Sequence, residues 1–201
     1  MPSGQSRSFT FSEYLAHGAS AQQRQELTRN ATADLPSENS DNIALTLGLA
    51  KRLKQVVDGR LICTRRVPLQ VPVLPDVSQT NRCPDLMVFT PKLAAQLSGK
   101  QDAIALEMPN PALVVEVVDP YSTPVEDNYR CDYIEKRQQY EQRRIPEYWV
   151  VDPTAGEVTV LALHMQDSYQ GRAFRGQQRI CSAGFPTLKL TVAELLGLSD
   201  Q

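Results

Sequence analysis

Ala112-Leu113-Val114-Val115-Glu116-Val117-Val118 is an apolar run broken by a single carboxylate. A short, continuous, valine-rich run predicts a strand covered on both faces. Side chains alternate along a strand, so Glu116 shares a face with Val114 and Val118. An unpaired carboxylate on such a face is costly and tends to take up a proton. Glu116 therefore calls for a cation: a metal, a lysine or an arginine. The alternative is a strand end, where the acid reaches water past Asp119-Pro120.

The segments around this strand alternate between helix and strand signals. Thr10 and Ser12 are suited to cap a short helix carrying Phe11, Tyr14 and Leu15, after a loose arm over residues 1–9. Ser37 or Ser40 caps a long helix to about Val57, with Ile43, Leu47, Ala50, Leu53 and Val57 at helical spacing. Arg60 to Val67 reads as a strand, and the proline-rich segment 68–83 as a long loop or irregular hairpin. Leu86–Phe89 is strand-like, and Pro91 opens a short helix with Leu93, Ala94 and Leu97. A helix is expected over 128–143 and a strand over Glu147–Asp152. Asp152-Pro153-Thr154-Ala155-Gly156 turns into a hairpin partner at Val158–Leu163. A Gly- and Gln-rich segment follows, with a short strand near Arg179–Ser182, and Thr191 and Glu194 have capping-box spacing before a last helix. The pattern predicts an α/β fold with a central sheet between helices, in one domain over residues 10–201.

Two further charges stand where a structural protein would rather not place them. Asp85 opens the apolar segment Pro84-Asp85-Leu86-Met87-Val88-Phe89. Pro-Asp is also a common turn pair, and Pro75-Asp76 serves as an internal comparison, since it leads into no strand pattern. Lys136 lies within the stripe formed by Tyr129, Tyr133 and Tyr140. It could reach the carboxylates from there. Alternatively it pairs with Asp132 at i,i+4 while its stem lies along the tyrosines.

Two carboxylates and an ammonium make chemical sense together. Mg²⁺ takes oxygen ligands, and one or two carboxylates with waters and phosphate oxygens suffice. Such an ion polarises a phosphoryl oxygen and acidifies a bound water. A lysine offsets charge developing on the phosphate or positions the attacking hydroxide.

Composition sets the outer limits. The chain has 201 residues, 41% hydrophobic and 22% charged, with a net charge of −2, so any nucleic-acid contact requires a local basic patch. Arg130, Arg137 and Arg144 recur every seven residues, and Lys51-Arg52 and Arg65-Arg66 add positive charge. The N-terminal sequence lacks a secretory pattern, no stretch approaches the ~18 apolar residues of a membrane span, and the expected location is cytoplasmic. Four scattered cysteines and two histidines form no zinc-site spacing.

Asn81-Arg82-Cys83-Pro84-Asp85-Leu86, then Leu113-Val114-Val115-Glu116-Val117-Val118-Asp119-Pro120, resembles the PD-(D/E)XK motif of restriction-endonuclease-like nucleases. With Lys136-Arg137-Gln138-Gln139-Tyr140 and Ile145-Pro146-Glu147-Tyr148-Trp149-Val150-Val151-Asp152-Pro153, the set is most similar to one branch, a large and mostly uncharacterised bacterial family of endonuclease-like proteins. The likeness covers roughly residues 35–196. Two positions depart from the pattern. Val118 stands where the superfamily has its lysine, which makes Lys136 the candidate, and Asp119 stands where family members often carry serine.

The resemblance implies a restriction-endonuclease-like core with an extra β-hairpin. It implies Asp85, Glu116 and the Val117 carbonyl as ligands to Mg²⁺ or Mn²⁺, with Lys136 catalytic. Glu38 resembles an acid that often approaches this site, although its place at a helix start also suits the helix dipole. Tyr140 and Trp149 read as packing, and Asp152 as shaping the turn before Pro153. The implied activity is DNA phosphodiester hydrolysis by a homodimer. The competing reading is an inactive nucleic-acid- or protein-binding module on the same fold. A serine-triad hydrolase is disfavoured because no nucleophile-elbow motif is present.

Overall fold

The computed structural model describes residues 11, 25–27, 32–34, 39–64, 67–97, 103–123, 127–165 and 168–198. The expected arm at 1–9, the first short helix apart from Phe11, Glu38 and Arg65-Arg66 lie outside the described residues.

A small hairpin, β1 (Gln25–Leu27) with β2 (Thr32–Asp34), precedes helix α1 (Ser40–Leu53). Next come β3 (Ile62–Thr64), the two short strands β4 (Leu69–Gln70) and β5 (Asn81–Arg82), then β6 (Leu86–Val88), α2 (Pro91–Leu97) and β7 (Leu113–Val117). A helical stretch is built from α3 (Asp127–Arg130), a π-helical segment (Cys131–Lys136) and α4 (Arg137–Gln142). The chain continues through β8 (Glu147–Asp152), β9 (Glu157–Leu163), β10 (Tyr169–Arg175) and α5 (Val192–Leu196).

Six strands form one mixed sheet in the order β10-β9-β8-β7-β6-β3. Its β7–β8 pair is parallel and the other pairs are antiparallel. The β4–β5 pair realises the irregular hairpin expected over 68–83. As the valine-rich run predicted, β7 is buried along its whole length. Val115 and Val117 face a core with Leu49 and Leu53 of α1, Trp149, and Val192 and Leu195 of α5. Val114 and Val118 face a second core with Leu93 of α2, Tyr140 of α4, Tyr148 and Val150.

Several elements differ in extent from their sequence expectation. Asn39, and not Ser40, caps α1, its side chain accepting from the Asp41 amide at 2.9 Å, and Ser37 lies outside the described residues. The buried stripe of α1 runs through Asn42, Thr46, Leu49, Ala50 and Leu53, leaving Leu47 exposed. The hydrophobic spacing alone missed this phase because two of the inward residues are polar. A single 3₁₀ turn capped by Asp58 occupies Gly59–Leu61 and delays the strand expected from Arg60.

The larger correction is at β10. A strand was expected near Arg179–Ser182, yet there Arg179 only bridges Thr191, and the seven-residue strand lies upstream at Tyr169–Arg175. Only Tyr169 and Phe174 of this edge strand are buried, so its sequence carries no alternating apolar signal. Gly171 lets this strand approach Leu161 closely, since a Cβ there would come within 2.9 Å of Leu161 Cδ2 and require that side chain to shift.

Glu147 explains much of the Pro-Glu-Tyr-Trp run. Its carboxylate is buried, accepting from Trp149 Nε1 at 2.5 Å and from the Gly184 amide at 3.0 Å. It thereby joins β8 to the loop leading into α5. Glu147→Ala strands the buried indole N–H of Trp149 and unpairs the exposed Gly184 amide, and should lower unfolding free energy by about 1–3 kcal/mol. Urea denaturation of the two proteins checks this, and an unchanged midpoint would contradict it.

Candidate functional site

β6 and β7 pair with Leu86 opposite Val115, so continuing the register one step sets Asp85 across from Glu116. Asp85 Oδ2 accepts the Val117 amide hydrogen at 2.7 Å, which holds its carboxyl against the Glu116–Val117 peptide. Both acids are buried, Asp85 at 6% and Glu116 at 2% exposure, so the Glu116 carboxyl does not escape to water at a strand end.

Two donors from the helical stretch meet Glu116. Lys136 Nζ lies 2.9 Å from Glu116 Oε2, and the Tyr140 hydroxyl donates to Oε1 at 2.6 Å. Lys136 Nζ also lies 2.6 Å from Asp132 Oδ1. The two sequence readings of Lys136 thus hold together: it forms its i,i+4 pair and reaches the strand carboxylate as well.

The stretch that carries these groups is held at several points. Tyr148 OH donates to the Asp132 carbonyl at 2.9 Å. Gln139 is fully buried, donates to the carbonyls of Pro72 and Gln79, and accepts from Arg82 Nε at 2.8 Å. The π-helical segment falls at Cys131–Lys136, so the widened turn contains both Asp132 and Lys136. Such turns recur at functional positions because they change the phase of the side chains flanking them.

The electrostatics are unbalanced. Two acids, Glu116 and Asp132, share the Lys136 ammonium, and Asp85 adds negative charge close by. Burial is the largest cause pushing Asp132 up to about 7; Lys136 opposes it, while Glu116 and Asp85 add to it. Burial pulls the Lys136 ammonium the other way, yet Asp132 and Glu116 outweigh it and hold the group well above the usual lysine range. Burial and then Glu116 keep the Tyr140 phenol protonated far into the alkaline range.

Asp119, the departure that added a negative charge, has a partner. Asn42 Nδ2 donates to Asp119 Oδ1 at 2.8 Å and lies 3.5 Å from the Val117 carbonyl oxygen. That explains why the buried face of α1 includes an asparagine. At the end of β8, Asp152 Oδ1 accepts from the Ala155 amide at 2.8 Å, as expected of a turn aspartate. Its Oδ2 additionally accepts from Tyr121 OH at 2.7 Å and Tyr133 OH at 2.9 Å.

Sequence reasoning thus brought Asp85, Glu116 and Lys136 to one place. It missed Asp132 and Tyr140 as members of the cluster, treating the first as an alternative partner and the second as packing. The available signal was the Asp132, Lys136, Tyr140 spacing of four and four on one helix, together with the rule that a buried tyrosine hydroxyl requires a partner. Glu38 lies outside the described residues. Of the arginines, Arg130 is exposed and 3.5 Å from Glu135, Arg137 is exposed, and Arg144 lies beyond α4 at φ 65°.

Among the described residues, no three acid, cysteine or histidine side chains are arranged to hold a metal alone. The donor set nevertheless suits a hard divalent ion that keeps waters: two carboxylates, the Val117 carbonyl and an excess of negative charge over Lys136. The carboxylate oxygens already engaged by donors retain further acceptor capacity.

Comparison with known proteins agrees with this architecture. Residues 11–193 match the family model described as "Uma2: Putative restriction endonuclease". The fold is similar to the crystal structure of "a putative nuclease belonging to DUF820 from Anabaena variabilis ATCC 29413", with a TM-score of 0.69 over 94% of this chain and 98% of that one, at 14% identity. At that identity the likeness establishes a shared fold. No curated protein matches the chain.

The raised Asp132 carboxyl has a consequence for stability in chelator. Between about pH 4 and pH 7 the folded protein retains a proton on Asp132 that the unfolded chain has released. Folding stability in EDTA should therefore fall as pH rises through that window, and Asp132→Asn should flatten the fall. Denaturant titrations at roughly pH 5, inside that window, and roughly pH 8, above it, compare the two proteins; an equal change in stability in both would refute the assignment.

Proposed function

The chain belongs to the Uma2 family, and from that premise we propose that it is an endonuclease hydrolysing DNA phosphodiester bonds with Mg²⁺ or Mn²⁺. Asp85, Glu116 and Lys136 are its site residues. The observation that carries this reading is the convergence of a lysine and two carboxylates from three separate segments, with Lys136 Nζ 2.9 Å from Glu116 and Asp85, just before β6, accepting from the Val117 amide of β7.

Asp85, Glu116 and the Val117 carbonyl are the groups that would hold the ion. Bound there, a divalent ion supplies Lewis-acid polarisation of the phosphate and a more acidic water. The protein's own contribution is positional and electrostatic. Tyr140 donates to one oxygen of Glu116 and so orients its carboxyl. The Val117 amide does the same for Asp85. Lys136 stays protonated between two acids, so it serves as a fixed cation for charge developing on the phosphate. It is a poor proton acceptor for the same reason. Asp132 holds the ammonium from its other side. The overall charge of −2 offers no general attraction to DNA, so local cations such as Arg130, Arg137 and Lys51 would contact the backbone. A homodimer would place two such sites on the two strands of a duplex.

Asp85→Asn and Glu116→Gln should each abolish metal-dependent nicking of supercoiled plasmid while circular dichroism stays unchanged. Chelator should abolish it in the wild type. Retained cleavage by both variants would remove the site assignment. Lys136→Ala should slow cleavage about 10²-fold and leave Mn²⁺ binding, followed by calorimetry, largely intact. If Mn²⁺ binding is lost instead, Lys136 supports the site's structure more than its chemistry.

A further inference from the structure

Seven tyrosines occur in the chain, and those described divide into two kinds. Tyr140, Tyr148 and Tyr169 are buried, with their hydroxyls bonded inside the protein. Tyr121, Tyr129 and Tyr133 are half-buried and form one aromatic group. Tyr129 and Tyr133 are stacked, with ring centroids 4.3 Å apart and an interplanar angle of 19°. Tyr121 meets Tyr129 edge-on at 5.4 Å.

Two of these rings are pinned. Tyr121 and Tyr133 both donate to Oδ2 of Asp152, whose own exposure is 0%. Tyr129 is held only through its neighbours' rings, and among the described residues its hydroxyl has no hydrogen-bond partner. A tyrosine of this kind contributes a ring face and edge on a support that two hydrogen bonds make rigid. Three adjacent, partly exposed aromatic rings offer apolar area that a stacking partner can cover.

The position of the group points to what covers it. β7 and β8 run parallel with Val117 opposite Val151, so Glu116 and Asp152 lie near the same carboxyl-terminal edge of the sheet. Tyr121 follows β7 by four residues, and Tyr133 is next to Asp132, which holds Lys136. The aromatic group therefore borders the carboxylate–lysine cluster through both the strand and the helix that build it.

We infer that Tyr129, supported by Tyr133 and Tyr121, is a stacking platform for an unpaired nucleobase of the DNA substrate. The inference rests on the nuclease reading and names its substrate form. A base within a duplex has both faces covered by its neighbours, so a tyrosine ring can stack only on a base that is single-stranded or swung out of the helix. A phenol face accepts any base, so the platform gives strand-form selectivity with little sequence selectivity.

The test uses the full chain carrying Glu116→Gln and chelator, so that cleavage does not intervene. A fluorescein-labelled oligothymidylate and a blunt duplex of mixed sequence are the probes, read by anisotropy. The oligothymidylate should bind more tightly than the duplex. Adding Tyr129→Ala should weaken its binding roughly tenfold and leave the duplex unaffected. Adding Tyr129→Phe, which keeps the ring, should restore binding to within about twofold of the parent. Tyr129→Leu keeps apolar bulk without aromaticity and stands in if the alanine protein misfolds; it should weaken oligothymidylate binding as alanine does. Equal oligothymidylate binding with and without the ring, or no binding preference over duplex in the parent, overturns the platform. Plasmid nicking by the otherwise wild-type protein distinguishes this from failure of the nuclease reading: nicking that persists while the ring proves irrelevant removes only the platform.

Discussion

A carboxylate in the middle of a fully covered strand must be matched, and the arrangement around β7 follows from matching Glu116. Each of its oxygens receives a donor from the helical stretch, Lys136 on one and Tyr140 on the other. Those donors reach it only if the stretch sits over β7 at one height and rotation. Gln139, buried and bonded to two loop carbonyls and to Arg82, holds that position from one side. Tyr148 holds it from the sheet. A buried ionic group of this kind adds little net stability compared with apolar packing of equal size. Its retention within the core is therefore better explained by chemistry than by folding.

Asp132 takes its character from burial first and from its charged neighbours second. Burial displaces its carboxyl to about 7, and the excess of negative charge from Glu116 and Asp85 adds to this while Lys136 opposes it. A divalent cation would relieve that excess, and the oxygen-rich donor set is of the type such ions prefer. Asp119 adds a further acid nearby, and Asn42 on α1 absorbs it through a hydrogen bond at 2.8 Å. The site is thus braced from both faces of the sheet, by α1 on one side and by the π-helical turn on the other.

Sheet topology explains why these features share an edge. The one parallel pair in the sheet, β7 with β8, brings two carboxyl-terminal strand ends together. Glu116 and the Val117 carbonyl belong to one end and Asp152 to the other. In open α/β sheets this edge is where ligands are commonly bound. Asp152 ties Tyr121, beyond the end of β7, to Tyr133, on the helical stretch, and so closes the arrangement mechanically.

Much of this was legible in residue order. The valine-rich run required a doubly covered strand, and the lone glutamate in it required a cation. Pro84-Asp85 leading into a strand pattern, and the phase of Lys136 among tyrosines, marked the other two members. These signals are local: they depend on periodicity and on the cost of burying charge, which a sequence carries directly. The edge strand β10, the inward polar residues of α1, the partnership of Asp119 with Asn42 and the pairing of Tyr140 with Glu116 were not legible. Each is decided by a contact between residues far apart in order. Whether a tyrosine packs only or also donates, and whether a lysine meets one acid or two, is fixed by where separate elements come to rest against one another. That is a property of the packed chain: spacing can align Asp132, Lys136 and Tyr140 on one helix face, but only packing brings Lys136 and Tyr140 to the Glu116 carboxylate.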